Sequence, residues 1–314
     1  MENKKKSILK TLTLVKIINK FYIIFLCISL SSCSSTNLSK SVLSQNALSR
    51  SVSNLKRKIT SSVIDKKGRT PANYGFNYSE VKINSEINSW FIPASNQRNT
   101  RTSKGTEISK GTVIFLHSKS GDIKTDFYQT LWLSNKGYNV LIPDFEDLEI
   151  KEIYSELDSV VNFVGKNEKL GKIVLWGQDT GASMAIYLAA NSFNKNDICL
   201  TIAEGTIPNY RKSSQKGFKK SFMLRPLSKM LAKFSDNTLD AEQYVENVAP
   251  VPLLLIHGSK DKQVLPKEAE ALFSKARKPK KLWLVKNANH LNSLYNQRDR
   301  QDELGQYLDS NCLK

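Results

Sequence analysis

Three short segments carry residue types that could do chemistry together. In Gly177-Gln178-Asp179-Thr180-Gly181 a carboxylate stands between glycines, after the apolar run Ile173-Val174-Leu175-Trp176 and ahead of the helix-like start Ala182-Ser183-Met184-Ala185. Flanking glycines permit a tight strand-to-helix turn that thrusts the central side chain outward. Further on, Leu255-Ile256-His257-Gly258-Ser259-Lys260-Asp261 sets a carboxylate just beyond a second apolar run, and Asn287-Ala288-Asn289-His290 sets a histidine just beyond a third. A carboxylate on a sharp corner, a second carboxylate and an imidazole, each at a strand end, are groups used in covalent catalysis.

The elements that must position them follow from hydrophobic pattern. Apolar runs of strand length occur at Val113 to Leu116, Val140 to Ile142, Ile173 to Trp176, Ile198 to Ile202, Leu253 to Ile256 and Leu282 to Val285. Helical spacing separates most of them, as in Phe127, Leu131 and Leu133, then Ile153, Leu157, Val160 and Val161, then Met184, Ile186, Tyr187 and Leu188. This alternation predicts a doubly wound, mostly parallel α/β sheet, whose catalytic loops gather at the carboxyl ends of the strands. Two earlier strands, around Val81-Ile83 and Trp90-Phe91-Ile92, are expected to pair antiparallel, and the polar stretch 94–110 reads as a surface loop. With 314 residues, 40% hydrophobic and 24% charged, the chain can bury a large core, which excludes wholesale disorder, collagen and disulfide-scaffold classes. A polytopic membrane protein is excluded too, because only one apolar run lies near the start and nothing later approaches the ~20 apolar residues a spanning helix needs.

That run sets the expected compartment. Lys4, Lys5 and Lys6, the apolar stretch Phe21 to Leu30, and Leu30-Ser31-Ser32-Cys33 read as a signal peptide over 1–32, and the last four residues resemble the lipobox of bacterial lipoproteins. The resemblance implies acylation of Cys33 and attachment to a lipid bilayer of the bacterial cell envelope, with Ser34 favouring the outer over the inner membrane. A plain secretory signal or an uncleaved anchor is the alternative. Residues 33–70, rich in Ser, Asn and Lys, read as a flexible tether to a domain over 71–314. Without 1–32, which carry six Lys and one Glu, 41 basic and 28 acidic residues remain, a balance of +13. Such a surface attracts anionic lipid or acidic polymers, but no nucleic-acid motif accompanies it, and solvated charge is the preferred reading. Cys199 lies in an apolar run and reads as core packing, so no disulfide with Cys312 is expected.

From about Pro71 to Tyr307 the chain resembles the α/β-hydrolase lipoproteins and serine peptidase-like esterases of bacterial envelopes. The resemblance is carried by Gly111-Thr112-Val113-Ile114-Phe115-Leu116-His117, Leu131-Trp132-Leu133, Gly137-Tyr138-Asn139-Val140, Pro252 to Val264, Leu272-Phe273, Pro279-Lys280-Lys281-Leu282-Trp283 and Asn289-His290. It implies hydrolysis of an ester-like small molecule without metal or cofactor, with Asp179 at the nucleophile position, Asp261 orienting the imidazole and His290 as base. It also implies oxyanion donors among the backbone N–H groups of Ser118, Lys119 and Thr180. The family's nucleophilic Ser is here Asp179, its Gly after the strand-end His is Ser118, and its Asp-Tyr-Arg-Gly pattern is Asp144-Phe145-Glu146-Asp147.

A carboxylate attacking an ester would form an anhydride more reactive than the ester, so acyl transfer is disfavoured. Carboxylates suit saturated carbon, where an alkyl-enzyme ester forms and is hydrolysed by water, as in haloalkane dehalogenases and epoxide hydrolases. Thr180 stands where dehalogenases have Trp, and His117-Ser118-Lys119-Ser120 where epoxide hydrolases have His-Gly-x-Pro; Tyr210 and Tyr244 are positional candidates for lid tyrosines. Two carboxylates beside His290 would raise its pKa and favour imidazolium, which leaves a salt-bridged, catalytically silent trio as the other reading.

A helical lid insertion is expected over about 206–250. Between Tyr210 and Lys233 eight basic residues, among them Arg211, Lys212, Lys216, Lys219 and Lys220, occur without an acid, and Leu227, Met230, Leu231 and Phe234 follow Pro226 at helical spacing. The apolar face either covers the pocket or lies on anionic lipid. The histidines at 117, 257 and 290 lack metal-ligand spacing, and His117 and His257 suit structural roles at strand ends. Nothing in the sequence sets an oligomeric state.

Overall fold

The computed structural model describes residues 69–95, 109–119, 121–145, 148, 150–220, 228, 237–238, 240–294 and 297–313. The signal segment, Cys33, nearly all of the tether and the Leu227–Phe234 face lie outside the described residues, Ser228 excepted. Eight strands form one sheet: β1 Ser79–Lys82, β2 Asn88–Ile92, β3 Thr112–Leu116, β4 Asn139–Pro143, β5 Ile173–Gln178, β6 Ile198–Glu204, β7 Leu253–Gly258 and β8 Lys280–Val285. Their order is β1-β2-β4-β3-β5-β6-β7-β8. β2 runs antiparallel to both its neighbours, and every other pairing is parallel. All six runs expected as parallel strands occupy β3 to β8. The outermost, β8, is only half-buried because it has a neighbour on one side.

The helices α1 Ile123–Asp126, α2 Leu131–Asn135, α3 Ile150–Gly165, α4 Thr180–Asn191, α5 Tyr210–Lys220, α6 Pro266–Lys275 and α7 Arg298–Cys312 cover the two faces. On one face Ile153, Leu157, Val160, Val161 and Val164 of α3 join Ala182, Ala185, Ile186 and Ala189 of α4 against alternate residues of the strands. On the other, Phe127, Leu131, Leu133, Leu304 and Leu308 pack on Val113, Phe115, Val174, Trp176, Leu200 and Ile202. The strands β3, β4 and β5 are thus buried on both sides, as a doubly wound sheet requires. Among the described residues no helix is long and apolar enough to cross a membrane.

One expectation is overturned. Cys199 and Cys312 are joined in a disulfide with Cα atoms 5.2 Å apart. The apolar run around Cys199 suggested simple core packing, but alternation along β6 turns Cys199 toward the face that α7 crosses, and the last turn of α7 brings Cys312 over it. The 113-residue separation carries no local signal of that proximity.

Candidate active site

The corner after β5 is held open by two glycines. A Cβ on Gly177 would collide with the Gly181 carbonyl, and one on Gly181 with the Leu116 carbonyl of the neighbouring strand. Asp179, between them, has φ 54° and ψ −112° and caps α4, a conformation that L-residues rarely hold without surrounding support. Its N–H donates to the Glu204 carbonyl at 3.0 Å, which ties the corner to the end of β6.

His290 lies in the loop after β8. A Cβ on Gly258 would strike the Asn289 and Ala288 carbonyls, and Gly205, at φ 62°, leaves room for the imidazole, since a Cβ there would sit 3.1 Å from His290 Cε1. The His290 Nδ1–H donates to Asp261 Oδ2 at 2.7 Å, and Nε2 stands 3.4 Å from Asp179 Oδ1. Asp261 is anchored in turn by the N–H groups of Gln263 and Val264 on Oδ1, at 2.8 and 3.0 Å. His257 Nε2 lies 2.9 Å from the Val264 carbonyl and 3.3 Å from Asp261 Oδ2, so it buttresses the acid's turn from below.

The electrostatics follow from this packing. Burial alone would push the His290 pKa down, but hydrogen bonds to two carboxylates override it and lift the imidazole to about 9. Burial would raise Asp261, yet the bonds it accepts from His290, Val264 and Gln263 hold it below the usual carboxylate range. At neutral pH His290 is therefore imidazolium, held between the carboxyl groups of Asp261 and Asp179, as two acids around one histidine imply.

The loop after β3 departs from a simple oxyanion pocket. Ser118 brings its hydroxyl to Asp179 Oδ2, donating at 2.9 Å. The Lys119 N–H donates to Thr180 Oγ1 at 2.5 Å, so that backbone donor is engaged by a side chain. The Lys119 ammonium turns away and donates to the carbonyls of Phe145 and Leu148. His117 is buried at the end of the same strand, with Nδ1 2.9 Å from the Ser118 carbonyl.

The insertion after β6 brings Tyr210 to the site. Its N–H donates to Asp240 Oδ1 at 2.7 Å, and its hydroxyl is buried; burial first, then the charge of Asp179, pushes the phenol well above its ordinary range. Tyr244 instead packs edge-on against Tyr187, ring centres 5.1 Å apart. Lys212 and Lys216 of α5 pair with Glu242 and Glu268 at 3.4 and 2.6 Å, while Arg211 is exposed. Lys219 and Lys220 lie in the last turn of α5.

One site residue escaped the sequence reading. Glu204, 1% exposed at the end of β6, accepts from Gln178 Nε2 at 2.9 Å and from the Ser293 N–H at 3.3 Å. Gln178 Nε2 also donates to Gln129 Oε1 at 2.8 Å. Burial raises the Glu204 pKa against the opposing pull of Gln178, Ser293 and nearby His290. The signal was present: a carboxylate closing an apolar strand and followed by glycine, beside the strand that carries Asp179. Among the described residues no group of His, Cys, Asp and Glu could hold a metal ion.

Comparison with known proteins locates the architecture. No protein-family model matches the chain. YfhR of Escherichia coli K12, described as uncharacterized, is 23% identical over 222 residues, covering 68% of this chain and 72% of that protein. Its Salmonella typhi namesake is 20% identical over 243 residues, covering 72% and 77%. Among solved structures, the Pyrococcus furiosus esterase Pf2001 superposes with a TM-score of 0.59 at 22% identity, over 77% of this chain and 94% of that one. The α/β-hydrolase GrgF of a Penicillium species gives 0.57 at 14% identity, over 76% and 100%. A soluble variant of the Saccharomyces cerevisiae monoglyceride lipase gives 0.55 at 18%, over 76% and 96%. The chain has the α/β-hydrolase fold.

Proposed function

We propose that this chain is a hydrolase in which Asp179 serves as a carboxylate nucleophile toward an electrophilic saturated carbon bonded to oxygen, a strained cyclic ether of the epoxide class. The observation that carries this reading is the setting of Asp179: on the strained corner, with Oδ2 held by the Ser118 hydroxyl and Oδ1 facing His290 Nε2.

The charge state of His290 selects the leaving group. An Asp179 oxygen attacks carbon, the C–O bond breaks, and the departing alkoxide takes the proton of the His290 imidazolium. The ester so formed no longer carries the Asp179 charge, and His290, now neutral, keeps one carboxylate partner instead of two. Water then gives a proton to His290 Nε2 while its oxygen adds to the Asp179 Cγ. As that adduct collapses, the ester C–O bond breaks, the added hydroxyl's proton passes to the departing oxygen, and a diol leaves with carboxylate and imidazolium restored. A halide leaving group would take no proton and would leave the imidazolium unable to act as base. An acyl substrate would generate an anhydride, so esters are disfavoured even though the solved structures of similar fold include esterases.

A second reading, a ligand-binding scaffold without turnover, is favoured by the engagement of the Lys119 N–H with Thr180 Oγ1, which removes one backbone donor from the site. Single turnover of an aryl epoxide in isotopically labelled water separates the two. Label in the Asp179 carboxylate supports the nucleophile; an intact epoxide with unlabelled protein supports the scaffold. Installing Asp179→Ser adds a control, since gained ester hydrolysis would show that the remaining groups are competent.

We also propose that the protein sits in the bacterial envelope, anchored through acylated Cys33, on the lipobox-like run Leu30-Ser31-Ser32-Cys33. The Cys199–Cys312 disulfide supports an oxidising compartment. Metabolic labelling with palmitate, lost in Cys33→Ala, tests the anchor.

A further inference from the structure

Phe193 is 94% exposed, the most exposed of the large apolar side chains among the described residues. It sits in the turn between α4 and β6, and that turn is not loose. Ser192 N–H donates to the Leu188 carbonyl at 2.8 Å and Asn194 Nδ2 bonds Asn162 Oδ1 on α3. Lys195 Nζ donates to the carbonyls of Asn247 and Ala249. The neighbours on both sides of the ring are pinned while the ring itself projects into water.

The surroundings of that turn are basic. Lys172 Nζ bonds the Asn196 carbonyl at 3.2 Å and lies 3.7 Å from Asp197, and Gly165 at the end of α3 faces Asn194 and Asp197. These contacts hold the two ends of the 165–172 loop, which carries exposed Lys166, Lys169 and Lys172, against residues 194–197 of the turn that bears Phe193. Together the segments 165–172 and 191–197 hold four lysines against Glu168 and Asp197. An aromatic ring held out among lysines matches the two layers of an anionic bilayer surface, the ring entering the acyl boundary and the ammonium groups meeting the headgroups.

We infer that the Phe193 turn, with Lys166, Lys169 and Lys172, is a surface that docks on anionic lipid. α4 runs from Asp179 at the carboxyl ends of the strands to Asn191, roughly 18 Å along its axis, so the ring and the catalytic corner stand on opposite rims of the sheet. Docking by this face turns the site toward the aqueous side, and the substrate then arrives from water, not from the bilayer. The inference is independent of the chemistry assigned to Asp179.

The test uses the complete chain with Phe193→Trp, read as the emission difference from wild type, in vesicles of phosphatidylcholine with and without phosphatidylglycerol. Contact predicts a blue shift and about twofold quenching by lipids brominated along the acyl chain, only when phosphatidylglycerol is present. Adding Lys166→Glu, Lys169→Glu and Lys172→Glu should abolish both. Emission from the introduced indole that does not respond to phosphatidylglycerol vesicles, or that responds equally without the anionic lipid, overturns the inference. So does a shift that grows with protein concentration in the absence of lipid, which would show that a second copy covers the ring.

Discussion

Raising the pH should unfasten the Asp179–His290–Asp261 trio and lower the stability of the fold, and His290 sets the window. Its pKa is 6.5 in an unstructured chain and about 9 in the fold, where the imidazole is 10% exposed between Asp179 and Asp261. A raised folded-state pKa means that the stabilising term is fully present below pH 6.5 and is lost as the pH rises through about 9. At about 1.4 kcal/mol per unit, the loss across that interval is on the order of 3 kcal/mol. Asp261 works with the opposite sign: its depressed pKa stabilises the fold above the ordinary carboxylate value and ceases to do so as the pH falls through the lowered one. The chain has three histidines, so the ring resonances can be followed one by one in a nuclear magnetic resonance titration, beside denaturant midpoints measured across the same range. Asp179→Asn removes one of the two carboxylates and should lower the His290 pKa by on the order of one unit. A His290 that titrates near 6.5 in the wild type, or one indifferent to Asp179→Asn, would refute the imidazolium trio and with it the leaving-group argument.

Three further outcomes follow. Reducing the disulfide, or substituting Cys312→Ser, releases a cross-link that spans 113 residues and should cost about 2–4 kcal/mol, seen for the variant as a lower thermal midpoint in non-reducing buffer. Gly181→Ala drives a Cβ into the Leu116 carbonyl and should destabilise by roughly 1–3 kcal/mol or more, whereas the same change at Gly75, which has open space but φ 80°, should cost only its backbone strain; equal midpoints for the two would contradict the close approach. Ser118→Ala frees Asp179 Oδ2 from its hydroxyl partner and should slow the proposed epoxide turnover by about tenfold with the fold intact; an unchanged rate would remove Ser118 from the site.

Much of this molecule is local information. The six apolar runs, their alternation with helical spacing, and the glycines at 177 and 181 are consequences of short-range pattern: a buried parallel strand must be apolar on both faces, and a strand-to-helix corner this tight admits no Cβ. That Asp179, Asp261 and His290 each follow a strand is therefore legible in the sequence. The positions of Tyr210 and Ser118 were readable too, but the direction in which each side chain points was not.

What required the tertiary structure is whatever depends on two distant segments meeting. The Cys199–Cys312 bond, the Ser118 hydroxyl on Asp179, the Thr180 hydroxyl on the Lys119 N–H and the linking of β6 to the Asp179 corner and the His290 loop by Glu204 join residues between 26 and 113 positions apart, or on adjacent loops whose rotamers no spacing rule sets. Composition and periodicity specify which face of an element is buried; they do not specify which polar atom will lie opposite another once the faces close. The doubly wound class of the sheet could be inferred from residue types alone, whereas the charge on His290, on which the proposed chemistry turns, exists only because folding sets two carboxylates against one imidazole out of bulk water.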